Sequence, residues 1–454
     1  MGPTEAIAEY LEGFGDQDMG GAALQAVRSA LTDYVGVTLA GVGERGSVIG
    51  RHVISALGGA SQATVWGGGF KTSMPLAAMA NGMAAHAHDY DDTNQVMMAH
   101  PSIQLLPGLF AVAEFQKRSG FDLMVAYVAG FEVGAKLGRA INPDLVFQGW
   151  FPVGTLGAVM QTAACAKLFG LSRDQMVMAL GISSNLASGL RCNNGTMAKP
   201  LMAGYVGQNG ILAALLAREG MTANPRALED QFGFFENFGR ADKARLTRSM
   251  ESLGKPLDII ESGFSFKLYP CCAGTHMPID CVLEIVKGHS VNPENIESIQ
   301  VSMGSYAKFL LIHPRPKTAA EAKFSLEYCI ARAILDEEMG IGQFTQLKVE
   351  DPLVTEIIEK IEPVYYETPI VKEGEQVSLP VEVKVVMKGG KIYSARVEHA
   401  RGTSHNPLSE DELETKLERC SRGILSPRKL AMLQDQLRSF ESISDMSEFA
   451  KILS

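Results

Sequence analysis

Three of the nine histidines and three carboxylates of this 454-residue chain fall within fifteen positions. They occupy His86-Ala87-His88-Asp89-Tyr90-Asp91-Asp92-Thr93 and its continuation His100-Pro101-Ser102, amid sequence that is mostly Ala, Gly, Met and Leu. Titratable groups gathered in an apolar stretch cost desolvation energy, so such a concentration points to a function. The plain alternative is a solvated acidic turn that caps a helix.

Three chemistries compete for these residues. A metal site is disfavoured by spacing: His86 and His88 diverge by about 200° on a helix, although a strand would put them on one face. The hydrolase pattern His-x-His-x-Asp-His also fails, because Asp89 comes one position early. An iron–sulfur cluster needs three or four placed cysteines, which the scattered cysteines do not provide. Nucleophilic catalysis lacks a Gly-x-Ser-x-Gly elbow, and Cys271-Cys272 neighbours His276 only in sequence. Cofactor-free acid–base catalysis needs an acid, a base, and cations for a charged substrate. Asp89 and His100 lie in the cluster. Arg191 and Lys199 bound a polar loop, and Lys267 and His276 flank Leu268-Tyr269-Pro270-Cys271-Cys272 at an apparent domain junction, where ligand clefts are common. Each has a bland counterpart: His276 as a helix cap, Lys199 as a solvated lysine, Tyr328 as a core residue.

The elements that must position these groups are read from periodicity. Leu24, Val27, Leu31 and Val35 predict a helix over 22–41 stopping at Gly41. Residues 51–72, Gly-rich and β-branched, predict a short extended segment and turn. Residues 74–87 predict a helix that delivers the cluster at its end. Further helices are expected at 102–116, 122–141, 155–169, 172–189 and 203–219, with residues 191–200 as a loop. After about 268 the texture changes. Ile299, Val301 and Met303 alternate, as do Val381, Val383, Val385 and Met387, and Gly389-Gly390 turns the latter into Tyr393, Ala395 and Val397 as a hairpin. Helices are expected at 319–338 and 351–361. The tail returns to helix, with Ser409/Glu412 as a capping box and Ser426-Pro427 as a second start.

Length alone favours two domains. Composition is that of a globular protein, 46% apolar and 20% charged. A net charge of −10 without a basic tract argues against nucleic acid. It leaves room for an anionic substrate in a locally positive pocket. No uninterrupted apolar run reaches the ~18 residues of a membrane span, and the first residues do not read as a signal peptide. Seven scattered cysteines, none in a Cys-x-x-Cys, predict buried thiols and a cytoplasmic location.

The chain resembles the MmgE/PrpD family. The matching pieces, in family order, are Asn81-Gly82 with His86 and Asp89-Tyr90-Asp91-Asp92-Thr93; His100-Pro101-Ser102; Gly154-Thr155; Ser188-Gly189-Leu190-Arg191; Thr196 with Lys199-Pro200-Leu201; Gln208-Asn209-Gly210; Tyr269-Pro270-Cys271-Cys272 with His276; and Ala322-Lys323-Phe324-Ser325. The resemblance implies a mainly α protein with an α+β part. A large all-helical domain of residues 1–268 and 405–454 would carry a smaller α+β lid domain of residues 269–404, in a homodimer. It implies no metal and no organic cofactor. Asp89, Thr93, His100, Lys199, His276 and Tyr328 fall where the decarboxylase-type members place active-site groups, and Arg191, Lys267 and His86 where substrate is held.

Two positions depart from the family. Gln148 stands where a histidine is frequent, and so does Met202 after Lys-Pro-Leu. Gln148 is left as a substrate-binding position, because an amide cannot exchange a proton as acid or base. The implied activity is that of a cofactor-independent lyase on a small di- or tricarboxylate, by proton abstraction or decarboxylation next to a carboxylate. It would be 2-methylcitrate dehydratase-like or cis-aconitate decarboxylase-like. The alternatives are an epimerase of an iminodisuccinate-like acid, or an inactive carboxylate-binding member.

Overall fold

Side-chain caps set several helix starts in the computed structural model, which describes residues 1–239, 243–367, 371–372, 375–376 and 379–453. Ser119 and Asp122 form a reciprocal capping box for Gly120–Ile141, and Ser172 with Gln175 does the same for Arg173–Ser184. Ser409/Glu412 starts Glu410–Ser421, and Ser426 caps Pro427–Arg438. The protein is mainly α with an α+β part.

Helices Pro101–Gln116, Gly120–Ile141 and Pro152–Phe169 are buried almost throughout. Their apolar residues encircle the axis because each has neighbours on every side. Their core runs from Ile7 to Phe264 and includes Leu417, Leu433, Phe440 and Phe449 of the C-terminal helices. A second core, from Cys271 to Ala395, packs helices on one four-stranded sheet. Its strand order is Ile361–Tyr366, Ile296–Gly304, Val381–Met387, Ile392–Val397. The first pair is parallel, with Ile299 opposite Ile361, and the others are antiparallel, with Val301 opposite Val383. Helix His276–Gly288 packs on the last two strands.

Several expected boundaries move. Residues 51–57 belong to the helix Arg45–Leu57, and only Ala63–Val65 and Phe70–Thr72 form the extended hairpin. The 172–189 helix stops at Ser184. The next begins at Ala198, not 203, because a proline in the first turn needs no N–H partner and Pro200 sits there. Lys199 is therefore helical. Residues 319–338 divide into Ala319–Ala322 and Leu326–Asp336, with Ser325 capping the second. The strand Ile361–Tyr366 was not expected. Pro363 argues against a strand, yet this one lies at the sheet edge, where a missing N–H is tolerated.

Helix Ala198–Arg218 is long and apolar enough to cross a membrane by length and composition. It packs along helices Met74–Ala85 and Pro152–Phe169, with most of that apolar window buried inside the protein.

Candidate active site

Helices Met74–Ala85 and Ala198–Arg218 meet backbone to backbone: a Cβ on Gly82 would stand 2.8 Å from the Ala203 carbonyl oxygen. This approach sets His86, just past the end of the first helix, beside Lys199, in the first turn of the second. A lysine there opposes the helix macrodipole. Its ammonium turns instead to acceptors in the 86–91 turn.

The turn places Asp89 at φ 52°, a left-handed conformation that aspartate tolerates better than most residues. Lys199 Nζ donates to Asp89 Oδ1 at 2.7 Å and to His86 Nε2 at 2.6 Å. Lys267 arrives from the other side. Thr93 and Ser265 exchange backbone hydrogen bonds of 2.9 and 2.8 Å, and Asn94 Nδ2 donates to the Gly263 carbonyl at 2.8 Å. That pairing carries Lys267 Nζ to 2.7 Å from the Asp89 carbonyl oxygen and 3.1 Å from Oδ2. Burial opposes ionisation of Asp89, but Lys199 and Lys267 outweigh it and hold the carboxyl below the usual range. Burial likewise opposes charge on Lys267, and Asp89 more than restores it. An ammonium has three N–H donors. Two of each lysine's have acceptors among the described residues, which leaves one on each.

Asp91 lies between two imidazoles. Its Oδ1 is 2.8 Å from His86 Nδ1, and its Oδ2 is 2.7 Å from His100 Nδ1, the second contact lacking hydrogen-bond alignment. The network assigns the His86 tautomer: Nδ1–H donates to Asp91, which leaves Nε2 to accept from Lys199. Burial, reinforced by Lys199 and opposed by Asp91, brings the His86 pKa down to about 4. Burial also lowers that of His100, against the pull of Asp91. Both imidazoles are neutral near pH 7. His100 Nε2 lies 3.9 Å from Asp89 Oδ1.

One cleft of about 280 Å³ gathers Asp89, Thr93, His100, Arg191, Lys199, Lys267 and His276. Three expected residues do not line it. His86 is buried beneath Lys199. Tyr328 is a residue of the α+β core, its hydroxyl donated to the Gln343 carbonyl, since the Leu326–Asp336 helix turns that face inward. Gln148 caps the short helix Asp144–Phe147 and is exposed. Arg191 lines the cleft but donates its terminal nitrogens to the carbonyls of Val146, at 3.0 Å, and Phe309.

His86, Asp89, Asp91 and His100 bring potential metal-ligand atoms within 4.8 Å of one another. Lys199 already bonds two of the four, so the protein supplies its own cation at that position.

Two buried lysines behind the cleft escaped sequence reasoning. Lys416 Nζ donates to Asp33 Oδ1 at 2.6 Å and to the Tyr90 and Lys267 carbonyls, each at 2.8 Å. Tyr90 returns the link, its hydroxyl donating to the Leu268 carbonyl at 3.1 Å. Lys323 Nζ donates to the Ala87 carbonyl at 3.0 Å, and burial lowers its pKa to about 8. Lys323 stood in a motif that matched the family. Lys416 had no signal, because its helix reads as a charged surface.

Residues 5–247 match the MmgE/PrpD N-terminal domain, and residues 269–441 match the MmgE/PrpD C-terminal domain. The chain is 25% identical to a cis-aconitate decarboxylase of Aspergillus terreus, over 100% of this chain and 96% of that protein. It is 26% identical to cis-aconitate decarboxylases of Mus musculus and Homo sapiens, over 99% of this chain and 93% and 94% of theirs.

Proposed function

The chain belongs to the MmgE/PrpD family, and from that premise we propose that it is a lyase acting without a cofactor on a small di- or tricarboxylate. The observation that carries this reading is the pair of spare N–H donors on Lys199 and Lys267, fixed on either side of Asp89. Together they take one carboxylate, one oxygen each. As a proton or CO₂ leaves the neighbouring carbon, the bonding electrons pass into the acidifying group, where negative charge builds. Ammonium groups already held by Asp89 meet that charge with little reorganisation.

His100 serves as the proton-transfer group, its Nε2 facing Asp89 and its Nδ1 facing Asp91. His276, from the α+β side of the cleft, supplies a proton to the carbon or to a leaving hydroxide. Thr93 adds a hydroxyl to the same wall. The relatives favour decarboxylation, with cis-aconitate as the first acid to try. Epimerisation of an iminodisuccinate-like acid is a second reading, favoured by imidazoles that reach the cleft from two different elements.

We assign residues 1–268 and 405–454 to the helical domain and 269–404 to a lid, because the two cores divide there. A homodimer is supported by exposed Ile49, Val53 and Leu57 on one helix and Leu201, Tyr205, Leu212 and Leu216 on another. Gly46 and Met197 bring those helices together. Seven free cysteines support a reducing, cytoplasmic compartment.

The test is a panel of citrate-like and aspartate-like acids incubated with the enzyme in D₂O and followed by NMR. Loss of CO₂, loss of water or deuterium at the α-carbon supports catalysis. Silence across the panel would leave a catalytically inert carboxylate binder.

A further inference from the structure

We infer that the acid taken by this cleft carries an apolar arm, which lies against the α+β wall; the inference rests on the carboxylate reading above and narrows its substrate class. The cleft is chemically two-ended. Asp89, His100, Lys199 and Lys267 form one linked ionisable group in it, and His276, Arg191 and Arg401 also line it. Beyond His276 the lining includes Met277, Met303, Ala307, Leu310, Leu379 and Val381, none of which carries a polar side chain, with Tyr306 as the one phenol among them.

The fold explains that wall. Met303 and Val381 stand near the ends of adjacent antiparallel strands, and Ala307 and Leu310 belong to the short helix that follows the first. That helix reaches back to the catalytic end. Gly274, two residues before His276, lies so close that a Cβ on it would be 3.5 Å from Leu310 Cδ1. An apolar group attached to an acid held by Lys199 and Lys267 would therefore meet this surface.

A carboxylate laid against Met277, Met303, Ala307, Leu310, Leu379 and Val381 would find no partner among those side chains. Among the described cleft residues, the two arginines already spend part of their five N–H donors on acceptors of the protein. Arg191 donates to the Val146 and Phe309 carbonyls. Arg401 donates to Glu412, and at 3.0 Å to both Asn406 Oδ1 and the Pro407 carbonyl. A carboxylate transferred to an apolar wall without a fresh partner loses hydration, whereas an alkyl group gains by burial.

Calorimetric titration of the intact enzyme with succinate, a series of 2-alkylsuccinates of growing chain length, and tricarballylate tests this. The expected result is a fall in Kd of about threefold to fourfold per added methylene over the first carbons, with the alkylsuccinates tighter than tricarballylate. In Leu310→Asn the gain per methylene should shrink. A flat or weakening series, with succinate or tricarballylate bound, overturns the apolar arm and leaves the carboxylate reading intact. If no acid of the panel binds, the carboxylate reading and the inference fall together.

Discussion

Lys416, near the C-terminus, donates at 2.8 Å to the backbone carbonyl of Lys267, the residue whose own ammonium lies 3.1 Å from Asp89. The Lys416 ammonium also holds the carbonyl of Tyr90, next to Asp89 in sequence. The helix Glu410–Ser421 thus fixes both backbone segments that present charge to the cleft.

Replacing Lys416 by Met should cost about 3–5 kcal/mol of stability, because the buried Asp33 carboxylate loses its partner. Chemical denaturation measures this. Adding Asp33→Leu should recover much of the loss by removing the orphaned charge. Equal stability of Lys416→Met and wild type would contradict the clamp.

Lys199→Ala and His100→Ala should fail differently. Lys199 holds the substrate in ground and transition states, so its loss should raise KM and also lower kcat. Loss of His100 should act mainly on kcat, by about 10²–10⁴-fold. Steady-state kinetics with unchanged circular dichroism decides. Near-full kcat in His100→Ala would transfer the proton step to His276.

Tyr328→Phe should retain most of its activity and lose about 1 kcal/mol of stability, the worth of a typical hydrogen bond, because its hydroxyl serves Gln343 in the core. Gln148→Ala should be close to neutral in both respects. A large kcat loss in Tyr328→Phe would restore the catalytic role that the family resemblance implies.

Stability should fall on acidification from about pH 6.5 toward pH 4. Burial lowers the folded-state pKa of His86 to about 4 and of His88 to about 3. Below the unfolded value near 6.5 the unfolded chain binds protons that the folded chain refuses, so the balance shifts toward unfolding. Asp92 opposes this, since burial raises its carboxyl well above the ordinary range and protonation favours the fold. Thermal melts from pH 8 to 4 measure the slope, and His88→Gln should flatten it. An unchanged slope in that variant would mean His88 is already charged when folded.

The cluster was legible because Asp89, His100, Lys199, Lys267 and His276 are ionisable residues set in apolar or Gly-rich sequence. The role of Asp91 was not, since only the fold shows one carboxylate facing both His86 and His100. Tyr328 and Gln148 came by position within a family pattern, and such a pattern does not say which way a side chain points. Lys416 lies among Glu410, Glu412, Glu414 and Glu418, a pattern that reads as solvated until the chain is folded. The strand at 361–366 was hidden by Pro363, which only an edge position excuses.

The most direct test of the account is a crystal structure with tricarballylate or cis-aconitate bound. One carboxylate should lie between Lys199 and Lys267, its two oxygens at about 2.7–2.9 Å from the two Nζ atoms, with the adjacent carbon facing His100. An acid seated elsewhere, or a metal ion held by His86 and Asp89 with Lys199 displaced, would contradict it.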